Sequence, residues 1–159
     1  MGTATNKIIE QNELLTLIPH KGKMFLLNRV ILYDLETLTL TAEADILPSC
    51  MFFDAKLNGI PSWVSFEFMA QSISALSGIK GRANGKPVMP GFILSISNLN
   101  IETPAMQRDE TARITVRQDC IIDSTFTFEG EVAINNNIIA TALITAAEIP
   151  FSSVIKDTK

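Results

Sequence analysis

Two side chains in this sequence could move a proton between them. His20 is the only histidine among 159 residues. It sits in LIPHKGKM, just after Pro19, which ends a helical stretch. Glu67 sits in GIPSWVSFEFMAQSISALSG (59–78), a segment apolar on nearly every side. A carboxylate in such a helix is costly to ionise alone. It stays neutral, finds a hydrogen-bonding partner, or opens on a cleft. Each outcome suits a general acid or base. Imidazole is the natural exchange partner, because it gains and loses its proton near neutrality. A helix ending just before His20 would favour the imidazolium and make it the better acid. Both residues also have plainer readings: Glu67 pointing to water near a helix N-terminus, and His20 as a surface or cap residue.

At about 100° per residue, Trp63, Glu67, Gln71 and Ser74 share one stripe of the helix. Met69, Ile73 and Leu76 fall on other faces, and serines at 65, 72 and 77 permit close packing. Other motifs fail on inspection. GRANGKP (81–87) is one residue short of a phosphate loop, and Pro87 stands where a magnesium-binding hydroxyl belongs. No GxSxG elbow occurs. One histidine and two cysteines without clustered carboxylates offer no metal-ligand set. Lys80, Arg82 and Lys86 form a basic loop able to meet an acidic partner, or simply solvated.

The elements that must position these residues follow from hydrophobic period. Residues 10–18 read as a short helix with Asn12 as a candidate cap. Residues 24–33 turn extended by Val30, and TLTLTAEA (37–44) alternates as a half-buried strand. Residues 45–60 read as an apolar-rich loop. The long helix starts at Pro61 or Ser62, with Gly78 and Gly81 as its expected stops. Strands are expected over 91–101, 111–121, 124–134 and 138–148, with the asparagines at 135–137 turning a hairpin. Without βαβ alternation, this order predicts an α+β domain in which an antiparallel sheet covers one main helix. Such a helix needs a curled sheet or a second subunit to bury its sides. The domain is expected over 10–148, between tails at 1–9 and 149–159.

Composition agrees with one globular domain: 47% hydrophobic, 19% charged, net charge −4. The acidic balance argues against nucleic-acid binding. No apolar run spans a bilayer, and the first residues lack the apolar core of a secretory signal. Asn6 also breaks the myristoylation pattern that Met1-Gly2 begins. Cys50 and Cys120, two isolated thiols, suggest a reduced, cytoplasmic protein.

Three segments together resemble the hotdog-fold 3-hydroxyacyl-ACP dehydratases. LIPHKGKMFLLNRV (17–30) is similar to the family's N-terminal segment, with Asn28 where Asp is common. IPSWVSFEFMAQ (60–71) is similar to the start of its central helix, and GFILSISNLNIETP (91–104) to the strand after it. Trp63 four residues before Glu67, and Gly91-Phe92 opening the later strand, resemble the aryl-polyene-type members most. The likeness runs over about residues 10–147. One position departs: Phe53 stands fourteen residues before Glu67, where the fatty-acid-synthesis enzymes carry a catalytic histidine. His20 is left to fill that role. PVMPG (87–91) follows the helix here, whereas the family's similar string precedes it.

The resemblance implies a single hotdog fold: a curved antiparallel sheet wrapped around one long helix. It implies dehydration of a 3-hydroxyacyl thioester to the trans-2-enoyl form, in fatty-acid or polyene-type lipid synthesis. His20 and Glu67 would be catalytic. Ser62 and Trp63 would offer backbone N–H groups to the thioester oxygen, Trp63, Gly91 and Phe92 would border the acyl chain, and Gln71 would orient Glu67 or a water. No metal or cofactor is implied beyond the substrate's phosphopantetheine. The implied partners are acyl carrier protein and a second subunit, as a homodimer, a dimer multiple or a pair with a second dehydratase. The site would then lie at the interface, where His20 and Glu67 can come from different chains. A hotdog thioesterase and a non-catalytic acyl-binding or assembly subunit are the alternatives.

Overall fold

The computed structural model describes residues 7–89 and 91–148. The tail expected at 149–159 and most of that at 1–9 lie outside the described residues. In chain order the elements are β1 (Ile9–Glu10), α1 (Gln11–Leu14), β2 (Arg29–Asp34), β3 (Thr39–Asp45), β4 (Gly59–Pro61), α2 (Ser65–Ala83), β5 (Gly91–Ile101), β6 (Ala105–Gln107), β7 (Thr111–Ile122), β8 (Thr125–Ile134) and β9 (Asn137–Glu148). Seven strands form one antiparallel sheet in the order β1-β2-β3-β7-β8-β9-β5. The short pair β4–β6 stands apart and delivers the chain to the long helix. This is the hotdog arrangement, α+β.

Period-two patterning explains the sheet's inner face. Ala112, Ile114 and Val116 on β7, Phe128 and Val132 on β8, and Ala140, Ala142 and Ile144 on β9 are buried against α2. From α2 itself, Phe68, Met69, Ile73, Leu76 and Ile79 enter the same core. Two glycines let backbone and helix close up. A Cβ on Gly130 would stand 2.7 Å from the Met69 sulfur, and one on Gly78 would stand 2.0 Å from the Leu17 carbonyl oxygen. The β8–β9 hairpin turns through Asn135 (φ 50°) and Asn136 (φ 64°), as a tight two-residue turn requires.

Three local expectations are corrected. The first helix is one turn long, not nine residues, and its N-cap position is Glu10 rather than Asn12, with no side-chain bond. Its apolar residues pack as turns instead, with Leu17 and Ile18 buried. The long helix opens with a 3₁₀ turn, Ser62–Val64, and runs through both Gly78 and Gly81. Gly78 marks a helix contact, and the chain leaves the helix at Asn84 and Gly85 (φ 66°).

The sheet's two long sides differ. Among the described residues β5 bonds only to β9, and all eleven of its residues are exposed, including Phe92, Ile93, Leu94, Ile96, Leu99 and Ile101. A long apolar edge without charges or proline is open to strand pairing. Among the described residues, no helix is long and apolar enough to cross a membrane.

Candidate active site

Glu67 lies in the first turn of α2, where the helix dipole favours a negative charge. His20 reaches it from the segment between α1 and β2. That segment is held in place by its own backbone. Lys21 donates to the carbonyls of Leu15 and Ile18, the latter at 3.0 Å. A 3₁₀ turn then spans Gly22–Met24, with Gly22 at φ 61° and Phe25 N–H bonded to the Gly22 carbonyl at 3.1 Å. Leu26 and Leu27 are buried and pin the strap to the core.

The strap brings the His20 Nε2 atom to 3.5 Å from Glu67 Oε1, within one chain. That separation is ion-pair range and slightly long for a hydrogen bond. The side chains are 26% and 17% exposed, so solvent or substrate can reach both. His20 Nδ1 is buried and has no partner among the described residues, so no second group pins the ring's tautomer.

Gln71 sits one turn beyond Glu67 and is fully buried. Its Nε2 donates to Glu67 Oε1 at 2.9 Å and to the Met24 carbonyl at 2.6 Å. Its Oε1 accepts from the Leu26 N–H at 2.9 Å. Trp63 is half exposed on the near side. Phe52 meets it edge-on at 5.8 Å between ring centres, and Phe66 stacks on it at 6.3 Å. This aromatic group was only partly legible: Trp63 was a candidate, whereas Phe52 and Phe66 join it through folding. Phe53 is half-buried and packs against the core.

Other candidates are placed differently. The Ser62 N–H is engaged by the Pro104 carbonyl at 3.0 Å, because β4 hands over to the helix beside β6. It is therefore not free for a thioester oxygen. The Trp63 N–H makes no such bond among the described residues. The Ser62 hydroxyl is buried without a partner among the described residues. Gly91 and Phe92 open β5 opposite Glu148 and Ala147. Gly91 borders a cavity of about 270 Å³ beside the C-terminal half of α2, together with Ile73, Ser74, Ser77, Phe126 and Phe128. Neither His20 nor Glu67 lines that cavity. At about 1.5 Å of helix rise per residue, Ser77 stands some 15 Å along the axis from Glu67. Gly91 thus borders a cavity that the His20–Glu67 pair does not line, and Phe92 does not line it either.

The basic loop is also partly engaged. Arg82 pairs with Glu13 of α1 at 2.9 Å, while Lys80 and Lys86 are exposed at the rim of that cavity. Asn28 is a framework residue: its Oδ1 accepts from the Asp45 N–H at 2.8 Å. Beside it Arg29 binds Glu43 at 2.9 Å and Asp45 at 2.7 Å. The Arg29 bonds raise its own pKa against a desolvation cost and hold the Asp45 carboxyl below the ordinary carboxylate range.

The sequence matches the ApeP-like family, described as ApeP dehydratase, over residues 12–156. Among solved structures, the dehydratase heterocomplex ApeI:P from Xenorhabdus doucetiae is similar with a TM-score of 0.79. Identity is 18%, covering 89% of this chain and 94% of the other. A hypothetical thioesterase with coenzyme A from Streptococcus pneumoniae TIGR4 is similar at TM-score 0.54 and 13% identity, covering 70% and 78%. The PaaI protein from the phenylacetic acid degradation operon of E. coli gives 0.56 and 9%, covering 76% and 78%. At these identities the structures share the fold. No curated protein matches the chain.

Proposed function

The chain belongs to the ApeP-like dehydratase family, and from that membership we propose that it removes water from a 3-hydroxyacyl thioester carried on acyl carrier protein. The observation that carries this reading is the 3.5 Å approach of His20 Nε2 to Glu67 Oε1, at a site open to solvent. Dehydration needs one group to take the proton α to the thioester and another to protonate the departing 3-hydroxyl. His20 Nε2 takes the α-proton. The C–O bond to C3 breaks, the new double bond forms between C2 and C3, and the hydroxyl leaves as water with a proton from Glu67. Return of the α-proton from His20 to Glu67 resets the pair. Negative charge growing on the thioester oxygen is met by the Trp63 N–H at the positive end of the helix. The Trp63–Phe52–Phe66 group borders the acyl chain. The product is a trans-2-enoyl thioester for fatty-acid or polyene-type lipid synthesis, in the cytoplasm. The substrate brings its own phosphopantetheine, and no metal or other cofactor takes part.

The open edge of β5 supports a two-subunit assembly, because pairing there would cover its apolar row. The second subunit is another copy or a second dehydratase; the X. doucetiae match is itself a dehydratase heterocomplex. Phe53, at the position of the usual histidine, favours one alternative: a subunit that binds acyl chains and completes an active partner.

Incubation of purified protein with 3-hydroxyacyl-carrier protein, read by intact mass, tests these readings. Loss of one water supports the dehydratase. Release of the free acid would replace it with a thioesterase. Unchanged substrate, with water loss only when a second dehydratase is added and undiminished by His20→Ala, would make this chain an assembly subunit.

A further inference from the structure

We propose that Lys21 is a positioning residue for His20: its ammonium caps two main-chain carbonyls that the chain leaves without a donor, and so fixes the segment that aims the imidazole at Glu67. The inference rests on the reading of His20 as the base, and it assigns the neighbouring lysine to the frame of the site rather than to an acidic partner.

The need for a clamp follows from the residues before His20. As the chain turns through residues 15–17, their N–H groups bond the carbonyls of Gln11, Glu13 and Leu14. A further helical turn would bond the Leu15 carbonyl to the N–H of residue 19, but Pro19 has none. The Ile18 carbonyl would likewise bond the N–H of Gly22, but there the chain leaves through the left-handed region, at φ 61°. Neither carbonyl has a main-chain donor among the described residues. Orphan carbonyls at the end of a helical stretch need side chains or water, and lysine suits them. Lys21 donates to both, reaching Ile18 at 3.0 Å. An ammonium has three N–H donors, so one side chain serves both acceptors and keeps a proton for solvent.

The consequence for the imidazole is geometric. The bond from Lys21 to Ile18 closes a short ring through Ile18, Pro19, His20 and Lys21. Pro19 fixes one φ inside that ring. Leu17 and Ile18 are buried on one side of it, and Leu26 and Leu27 on the other. His20 lies between those anchors, and its Nδ1 has no partner among the described residues. The imidazole therefore takes its 3.5 Å approach to Glu67 from the backbone beneath it. Among the described residues, Lys21 supplies the only side-chain hydrogen bonds to the backbone of residues 15–23. Lys23 carries the same charge outside the clamp, exposed at the end of the 3₁₀ turn.

Three variants and one wild-type measurement decide the assignment. Lys21→Met keeps the stem and removes both bonds. It should lower kcat by about 10-fold or more with KM changed less, because a misaimed base costs rate more than binding. Lys21→Arg keeps a cationic donor and should recover most of that loss. Lys23→Met removes a like charge two residues on and should leave kcat unchanged. His20 is the only histidine, so its ring gives unambiguous NMR signals. Glu67→Gln should shift those signals strongly in the wild-type background and weakly in Lys21→Met. In wild-type protein labelled with ¹⁵N-lysine, the Lys21 ammonium protons should exchange more slowly than those of Lys23. Folded Lys21→Met with wild-type kcat and an unchanged ring response would overturn the proposal. So would Lys21→Arg no faster than Lys21→Met, or Lys23→Met losing as much, which would make charge alone the cause. A Lys21 ammonium exchanging as fast as that of Lys23 would overturn it whether or not the variants fold. Wild-type protein that leaves 3-hydroxyacyl-carrier protein unchanged would sink the dehydratase reading, while the ring shifts and ammonium exchange would still decide the clamp.

Discussion

Two clusters of opposite charge sit on this fold, and they are built differently. Around Arg29, both carboxylates are held directly. The guanidinium grips Glu43 and Asp45 at 2.9 and 2.7 Å, Arg113 adds a second bond to Glu43 at 3.1 Å, and Thr111 adds one to Asp45 at 3.1 Å. The cluster joins β2, β3 and β7 and leaves little valence unpaired. Around Glu67, by contrast, one oxygen is fixed by Gln71, while the imidazole stands off at 3.5 Å with a buried Nδ1 that has no partner among the described residues. A structural cluster saturates its groups. A working one holds a group in place and leaves atoms free to react.

The contrast can be broken by substitutions that should have opposite signatures. The largest effect is expected at the second cluster. Glu67→Gln should reduce turnover by about 100-fold or more while unfolding free energy moves by less than about 1 kcal/mol. Equal loss of stability and turnover would make Glu67 one more framework charge. Next comes Arg29→Met, which leaves Asp45 without its cation and Glu43 with Arg113 alone. Chemical denaturation should show a loss of about 1–3 kcal/mol, with turnover per folded molecule unchanged. A turnover defect at full stability would dissolve the distinction.

The smallest effect sharpens the comparison through pH. Arg29 holds the Asp45 carboxyl below its ordinary range in the folded protein. The unfolded chain therefore binds the extra proton first as pH falls. The stabilisation is fully present above the unfolded carboxyl's pKa and is lost as pH drops through the lower folded value. Wild type should exceed Asp45→Asn by about 1 kcal/mol at neutral pH, given partial exposure, with the gap closing in acid. A gap unchanged by acid would remove the ion pair as its cause.

Much of this was legible in the residues. The strand at 91–101 falls where its pattern placed it, and the hairpin turns on its asparagines. The convergence of Glu67 with His20 was an inference from chemistry, and the fold places them together within one chain. Other features have no local signal. Gly78 reads as a helix stop in isolation, yet its missing Cβ admits the Leu17 carbonyl, 61 positions away in sequence. The Ser62 N–H looked free at a helix start until β4 and β6 brought Pro104 to it. Gln71 lay on the polar stripe, but its hold on Met24 and Leu26 depends on a strap 45 residues upstream. Gly91 and Phe92 were assigned to the acyl channel by resemblance. Within one chain Gly91 borders the cavity beside the far half of α2, which neither His20 nor Glu67 lines.

A double-mutant cycle on water loss tests the central claim most directly, using His20→Ala, Glu67→Ala and the combined variant with 3-hydroxyacyl-carrier protein. Two residues acting as one proton-transfer unit are grossly non-additive. Each single variant should fall nearly as far as the double. Either single variant keeping the wild-type rate, or two losses that simply multiply, would contradict a catalytic pair at this site.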